Sequence, residues 1–223
     1  MGIEFDRHIC ACVAEAALTI PLEPEESFLE RKLETAFVAA LRQLLPRLEV
    51  AARRKFWVPD WDPQPGGLDV FVLDKGNLIA AAELKVDDVD QCLWDIYKMA
   101  ALGQTKGRLG MYAVVAAPAK RWASTSDCVD FFTGEVGETR RFDSLEAFGR
   151  NRKAWRWLLI GGRARPVRVP KTLEVVTVVE AAVRSRPTHE LRAIRVRGVP
   201  ESGWLDFAGD WPEGLVDGRN ARA

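Results

Sequence analysis

The stretch that decides the fold is LDVFVLDKGNLIAAAELKV, residues 68–86. Two apolar runs, Leu68–Leu73 and Leu78–Val86, flank the turn signal Asp74-Lys75-Gly76-Asn77. Apolar runs on both sides of such a turn predict a β-hairpin. Both strands are apolar on both faces over most of their length, which is typical of strands inside a covered sheet. The pattern therefore predicts a hairpin at the centre of an α/β protein.

Three charged side chains interrupt these strands: Asp69 in the first, and Glu83 and Lys85 in the second. A buried strand is a costly place for a charge unless something compensates it. Residues two apart on a strand share a face, so Glu83 and Lys85 point the same way. A three-residue loop over Lys75–Asn77 would set Asp69 opposite Glu83, with Cβ atoms roughly 4.5–5.5 Å apart. Two carboxylates at that distance can chelate one divalent cation, whereas a slip of one residue would separate them.

The elements around the hairpin alternate between helix and strand. In chain order they are predicted as a helix from Ser27 to about Pro46, a strand over Arg53–Val58, a loop over 59–67, the hairpin, a helix over 87–102, a strand over Gly110–Ala119, a helix opened by Asp143 and stopped at Gly161 or Gly162, and strands over Leu173–Val179 and Leu191–Val196. We expect a single α/β domain over residues 1–223 with a mixed sheet.

The composition excludes several classes of protein. With 48% hydrophobic and 29% charged residues, the chain is neither a disordered polymer nor a fibre. It has no run of about 18 apolar residues, and charges interrupt its first twenty residues, so we expect no membrane span, no signal peptide and a cytoplasmic location. The four cysteines form no CxxC pair, which favours buried thiols over a metal site.

The zero net charge hides an asymmetry. Residues 1–100 carry 11 Lys and Arg against 18 Asp and Glu, and residues 101–223 carry 21 against 14. Ten basic residues and two acids lie between Arg140 and Lys171. This basic strip is predicted to bind nucleic-acid phosphates, although a solvated helix face is an equal alternative. Its proposed binding residues are Arg150, Arg152, Lys153, Arg156, Arg163 and Arg165.

Asp69, followed after thirteen residues by Glu83-Leu84-Lys85, resembles the PD-(D/E)xK motif of the restriction-endonuclease-like nuclease superfamily, with Gly67-Leu68 in place of the residues before the acid. The order helix, three strands, helix, strand (αβββαβ) is similar to the superfamily core over roughly residues 27–119. The resemblance implies a restriction-endonuclease-like core over about 27–180. An N-terminal segment, 1–26, and a strand-containing C-terminal extension, 181–223, would flank it.

The resemblance also implies a metal-dependent nuclease. Asp69, Glu83 and the main-chain carbonyl of Leu84 would hold Mg²⁺ or Mn²⁺, and Lys85 would orient or help deprotonate the attacking water. The expected substrate is nucleic acid, with DNA favoured over RNA. Three alternatives stay open: a structural ion pair between Lys85 and Glu83, a non-catalytic binding or assembly subunit of the same fold, and a nuclease active only with a partner protein or as a homodimer.

Neighbouring helices supply further candidates. The superfamily tends to place an acid on the first helix, and the helical spacing favours Glu30, with Glu34 in reserve. Glu30 also completes a capping box with Ser27, which is the alternative explanation for it. Gln91 and Tyr97 resemble the Gln-x-x-x-Tyr pattern of the RecB-like branch, but five residues separate them here. Gln91 remains a site candidate, whereas Tyr97 is expected to pack in the core.

The basic strip gives a first testable prediction. Replacing Arg152, Lys153 and Arg156 with alanine should weaken nucleic-acid binding and flatten its dependence on salt, because each lost phosphate contact removes counterion release. Fluorescence anisotropy with labelled DNA at several salt concentrations measures both quantities. An unchanged affinity and an unchanged salt slope would mean that the strip is only a solvated face.

Overall fold

The structure is a computed structural model that describes residues 2–21, 29–54, 61–62, 67–89, 92–106, 110–123, 127–150, 165–166 and 168–206. Within these residues the α-helices are α1 (Gly2–Thr19), α2 (Leu29–Leu44), α3 (Cys92–Lys106), α4 (Ala119–Trp122) and α5 (Ser144–Arg150). The strands are β1 (Glu49–Arg54), β2 (Trp61–Asp62), β3 (Leu68–Asp74), β4 (Asn77–Val86), β5 (Gly110–Pro118), β6 (Thr139–Asp143), β7 (Arg165–Pro166), β8 (Arg168–Pro170), β9 (Thr172–Ala182), β10 (His189–Gly198) and β11 (Trp204–Asp206).

A mixed seven-stranded sheet is the centre of the fold, in the order β1-β3-β4-β5-β10-β9-β6. Strands β1, β3 and β4 pair antiparallel, and β4 pairs parallel with β5 through the α3 crossover. The remaining pairings in this sheet are antiparallel. The α/β class and the mixed sheet predicted from the sequence are confirmed. Among the described residues, no helix is long and apolar enough to span a bilayer.

Helices cover both faces of the sheet, as the doubly apolar strands require. On one face α1 and α2 bury residues such as Ile9 and Phe37 against Val70, Ala82 and Val114. On the other face α3 packs its apolar residues against the alternate positions of the same strands, Phe71, Ala81 and Ala113 among them. The expected N-terminal segment thus supplies a helix to the sheet. The expected C-terminal extension supplies β10, which lies between β5 and β9.

The hairpin has the predicted register but not the predicted loop. Lys75 and Gly76 form a two-residue turn with φ of 49° and 81°, so Asp74 pairs with Asn77. A register shift near Val72 then restores the alignment that a three-residue loop would have produced. Val70 consequently pairs with Ala82. The expected three-residue loop is therefore wrong, because the positive φ of both turn residues suits a two-residue hairpin turn and a bulge absorbs the difference.

Three other element boundaries differ from those predicted. The first strand, expected over Arg53–Val58, begins at Glu49, because Val50 is buried and pairs with Val72. A short strand, β2, lies within the expected loop over 59–67 and pairs with β7. The helix expected from residue 87 begins at Cys92, because Asp87 adopts φ of 62° and bonds His189 and Arg186. Residues 55–60 and 151–164, including the expected end of the basic-strip helix, lie outside the described residues.

The turn generates a second prediction. Gly76→Ala should lower the free energy of unfolding by about 1–2 kcal/mol, because glycine adopts the left-handed backbone conformation freely and alanine adopts it only with steric strain. Lys75→Asn should raise it slightly, since asparagine tolerates that conformation better than lysine. Urea unfolding of both variants measures the two changes. If both substitutions shift stability in the same direction, the turn is not the one described.

Candidate active site

Two carboxylates lie side by side at the open end of the hairpin, away from the turn. Val70 pairs with Ala82, so the next residues along, Asp69 and Glu83, stand opposite each other. Their carboxyl groups are within hydrogen-bonding reach, and Asp69 raises the cost of ionising Glu83. The structure therefore confirms the predicted register and brings these two candidate residues together.

The backbone of Leu84 fixes one of these carboxylates. Its N–H donates a hydrogen bond to Asp69 Oδ2 at 2.9 Å. The N–H and C=O of one strand residue point to the same side of the strand, so the Leu84 carbonyl also faces β3. The three oxygen donors that the resemblance implies, those of Asp69, Glu83 and Leu84, thus lie on neighbouring stretches of β3 and β4.

Helix α3 adds two charged residues that sequence reasoning missed. Lys98 donates a short hydrogen bond to Glu83, and its Nζ lies 3.0 Å from Asp95 Oδ1. The side chains of Glu83, Asp95 and Lys98 are all at most 8% exposed. A signal was present: Asp95 and Lys98 are three residues apart, which places them on the same helix face, and they are the two charged residues between Cys92 and Leu102.

Lys85 lies nearer the surface and connects the two helices. Its Nζ is 3.3 Å from Glu30 Oε1 on α2 and 3.5 Å from Asp95 Oδ2 on α3. The alternative of an ion pair between Lys85 and Glu83 is wrong as stated, because Lys98 is the lysine that contacts Glu83. We call the whole set the carboxylate–lysine cluster, which comprises Glu30, Asp69, Glu83, Lys85, Asp95 and Lys98.

The two acids considered on the first helix have different partners. Glu30 is in the first turn of α2 and bonds Lys85, so it belongs to the cluster. Glu34, one turn later, accepts a hydrogen bond from Arg53 Nε at 2.7 Å and is largely buried. Ser27, the other half of the expected capping box, lies outside the described residues.

The charges of the cluster are unbalanced. Four carboxyl groups face two lysines, which leaves a net charge of −2 when all six are ionised. Burial, and then the neighbouring Asp95 and Asp69, raise the pKa of Glu83 well above its ordinary value of 4.5, against the opposing effect of Lys98. Burial lowers the pKa of Lys85, but the surrounding carboxylates outweigh it and raise this pKa above its ordinary value. The Lys85 side chain is therefore an ammonium group that can donate hydrogen bonds.

Several predicted residues cannot be placed in this site. Gln91 lies outside the described residues, as do Arg152, Lys153, Arg156 and Arg163. Arg150 ends α5 and Arg165 begins β7, but their side chains are not described. Tyr97 is fully buried in the core on the α3 side of the sheet, as expected.

No complete metal-ligand set is formed by side chains alone. In the part of the chain that the structure describes, no group of three or more His, Cys, Asp and Glu side chains converges to hold a metal ion. Asp69 and Glu83 form a pair of carboxylates. Mg²⁺ is commonly bound through one or two carboxylates together with waters and substrate phosphates.

Comparison of the chain with models of protein families, with curated proteins and with solved structures finds no match. The functional interpretation therefore rests on the geometry of the cluster and on the order of the elements that build it.

The cluster generates a third prediction, made without added metal. Glu83→Gln should be at least as stable as the parent near neutral pH, because Lys98 keeps Asp95 as its partner and the excess of negative charge falls. Lys98→Met should lower the free energy of unfolding by about 3–5 kcal/mol, since it leaves buried carboxylates without their counter-charge. Exposed Lys120→Met is the matched control and should change stability little. Urea unfolding in EDTA measures all three variants.

The same experiment has a pH dependence of known sign. The pKa of folded Glu83 is raised above its unfolded value, so this group's contribution to stability falls as pH rises from about 4.5 through the folded-state value. The stability of Glu83→Gln should therefore rise relative to that of the parent as the pH increases above about 4.5. A Glu83→Gln variant that is as unstable as Lys98→Met at neutral pH would identify the cluster as a structural salt bridge.

Proposed function

We propose that this protein is a metal-dependent nuclease that hydrolyses phosphodiester bonds in nucleic acid, with DNA favoured over RNA. The observation that carries the proposal is the pairing of Asp69 with Glu83 in a half-buried site, with Lys85 two residues further along the same strand. A scaffold gains nothing from two adjacent carboxylates, because each disfavours ionisation of the other.

The order of the elements gives independent support. From α2 the chain runs through β1, β3 and β4, crosses by α3 and continues in β5. The first three strands are antiparallel neighbours, and β5 is parallel to β4. This is the αβββαβ arrangement implied by the PD-(D/E)xK resemblance, with the acids on its second and third main strands. We propose a restriction-endonuclease-like core on this basis.

The donor atoms suit Mg²⁺ or Mn²⁺. Asp69, Glu83 and the Leu84 carbonyl are hard oxygen donors, and with all six groups ionised the net charge of −2 in the cluster would match a divalent cation. When bound, such a cation would act as a Lewis acid toward the phosphate and lower the pKa of a water molecule. Leu84 N–H would hold Asp69 Oδ2, which leaves the other carboxylate oxygen of Asp69 available to the metal.

The remaining residues of the cluster would act through hydrogen bonds and charge. Lys85 would direct its ammonium group at the attacking water and at the charge that develops on the phosphate. Glu30 and Asp95 hold Lys85 from two sides and so would fix its position. Lys98 contacts both Glu83 and Asp95, and its contact with Asp95 would remain if Glu83 bound the cation.

One observation favours a second candidate function, a non-catalytic binding or assembly subunit of the same fold. Lys98 already neutralises Glu83 inside the protein, as it would in a purely structural ion pair. A nuclease that depends on a partner protein or on a homodimer is the intermediate case. Both alternatives predict an isolated protein that cleaves no nucleic acid.

The fourth prediction tests the chemistry. Asp69→Asn and Glu83→Gln should each lower Mg²⁺- or Mn²⁺-dependent cleavage by about a thousandfold or more, because an amide is a poor ligand for a hard cation and several kcal/mol of transition-state stabilisation are lost. The substrates are single-stranded, duplex and branched DNA and single-stranded RNA, each labelled at one end.

Asp74→Asn is the matched control, because Asp74 is exposed at the turn end of the same strand as Asp69. It should cleave like the parent. If the parent cuts none of these substrates with either metal, or if all three variants cut as well as the parent does, the proposed nuclease site is wrong.

A further inference from the structure

Arg53 lies next to the carboxylate–lysine cluster, and its backbone has a strained conformation. Ala52 pairs with Val70 and Arg54 with Leu68, so Arg53 stands opposite Asp69 and completes a row across β1, β3 and β4. Its φ is 52°, in the left-handed region that a residue with a side chain seldom adopts inside a strand. Conformations of this kind persist where surrounding contacts hold them, and they concentrate at functional sites.

The side chain of Arg53 also points in a direction that a regular strand would not give it. In a regular strand Arg53 would share a face with Ala51, which packs on the α3 side of the sheet. Instead the guanidinium bonds Glu34 on α2, the helix that covers the opposite face. Glu34 is 8% exposed, whereas the Arg53 side chain is 58% exposed. A buried carboxylate therefore anchors a guanidinium that faces solvent.

The guanidinium lies at the mouth of the carboxylate–lysine cluster. Both Asp69 and Glu30 act on its charge, besides Glu34. Glu34 accepts from Nε, and within the described residues the structure records no bond from the two Nη groups. These two groups form the part of the arginine fork that pairs with phosphate oxygens. An ion pair whose arginine is largely exposed gains little, so it does not by itself account for the strained backbone.

We propose that Arg53 binds a phosphate group of the nucleic-acid backbone at the mouth of the cluster and that Glu34 is its positioning residue. This inference rests on the proposed nuclease function and names the group that would bring the substrate to the two carboxylates. The Arg53 guanidinium would place a positive charge beside the carboxylates, where the phosphodiester has to approach. Glu34, considered at first as a reserve acid, thus has a different role from that of Glu30.

Arg53→Gly is the decisive variant, because glycine removes the guanidinium and also relieves the left-handed backbone. Binding of labelled single-stranded and duplex DNA is measured by anisotropy with Ca²⁺ in place of Mg²⁺, and stability by urea unfolding. We expect Arg53→Gly to bind about 10- to 100-fold more weakly, with the salt slope reduced by about one. In the free energy of unfolding, the relief of the backbone is opposed by the loss of the partner of buried Glu34. Arg53→Lys should keep part of the affinity, since it retains the charge but not the fork.

Arg47→Ala is the matched control, because Arg47 is exposed just before the opposite end of β1. It should bind DNA like the parent. Glu34→Ala should raise KM for bis(p-nitrophenyl) phosphate with Mn²⁺ about tenfold and change kcat little, and Glu34→Asp should restore part of the loss. A structural role for Glu34 would not separate KM from kcat in this way.

One result would overturn the inference while the proposed function stands: a parent that cleaves DNA, together with an Arg53→Gly variant that is folded by its urea transition and binds DNA as tightly as the parent. A parent that neither binds nor cleaves any of the nucleic acids would overturn the proposed function, and this inference with it.

Discussion

The pairing of β3 with β4 sets Asp69 beside Glu83, and every other feature of the cluster depends on this register. The two-residue turn alone would offset the strands, but the bulge near Val72 restores the alignment before the strands reach their open end. Because side chains alternate along a strand, any other register by one residue would send one carboxylate to the α1–α2 side and the other to the α3 side. The apolar residues on both faces resist such a slip, since it would move them out of the two cores.

The charges of the cluster follow from burial. A glutamate that is 3% exposed needs compensation, and Lys98 and Lys85 supply two positive charges against four acids. With all six groups ionised, the cluster keeps an excess of negative charge, which the proposed divalent cation would balance. The first turns of α2 and α3 carry Glu30 and Asp95, where the helix dipoles favour carboxylates. The cluster therefore has fewer positive charges than carboxyl groups.

The parts of the site that depend on local periodicity were predicted correctly from the sequence. The alternation of the strands and the turn signal were sufficient to predict that Asp69 and Glu83 are neighbours, and the helical spacing placed Glu30 toward the site. The two-residue turn and the bulge were not predictable, because the bulge cancels the offset that the turn produces. The register of Asp69 and Glu83 is therefore the same as with a three-residue loop. Lys98 and Asp95 were missed because burial of a lysine depends on which strand the helix crosses, which is a tertiary property. The left-handed Arg53 left no local signal, because it is neither glycine nor asparagine.

The central claim is that the Asp69–Glu83 pair is a binding site for a divalent cation. The most direct measurement is a crystal of the protein soaked in Mn²⁺, with diffraction recorded at a wavelength where manganese scatters anomalously. The account predicts an anomalous peak between the carboxylates of Asp69 and Glu83, with Glu83 turned from Lys98 toward the metal. At saturating Mn²⁺, a Glu83 that still contacts Lys98 and no peak beside Asp69 would contradict it.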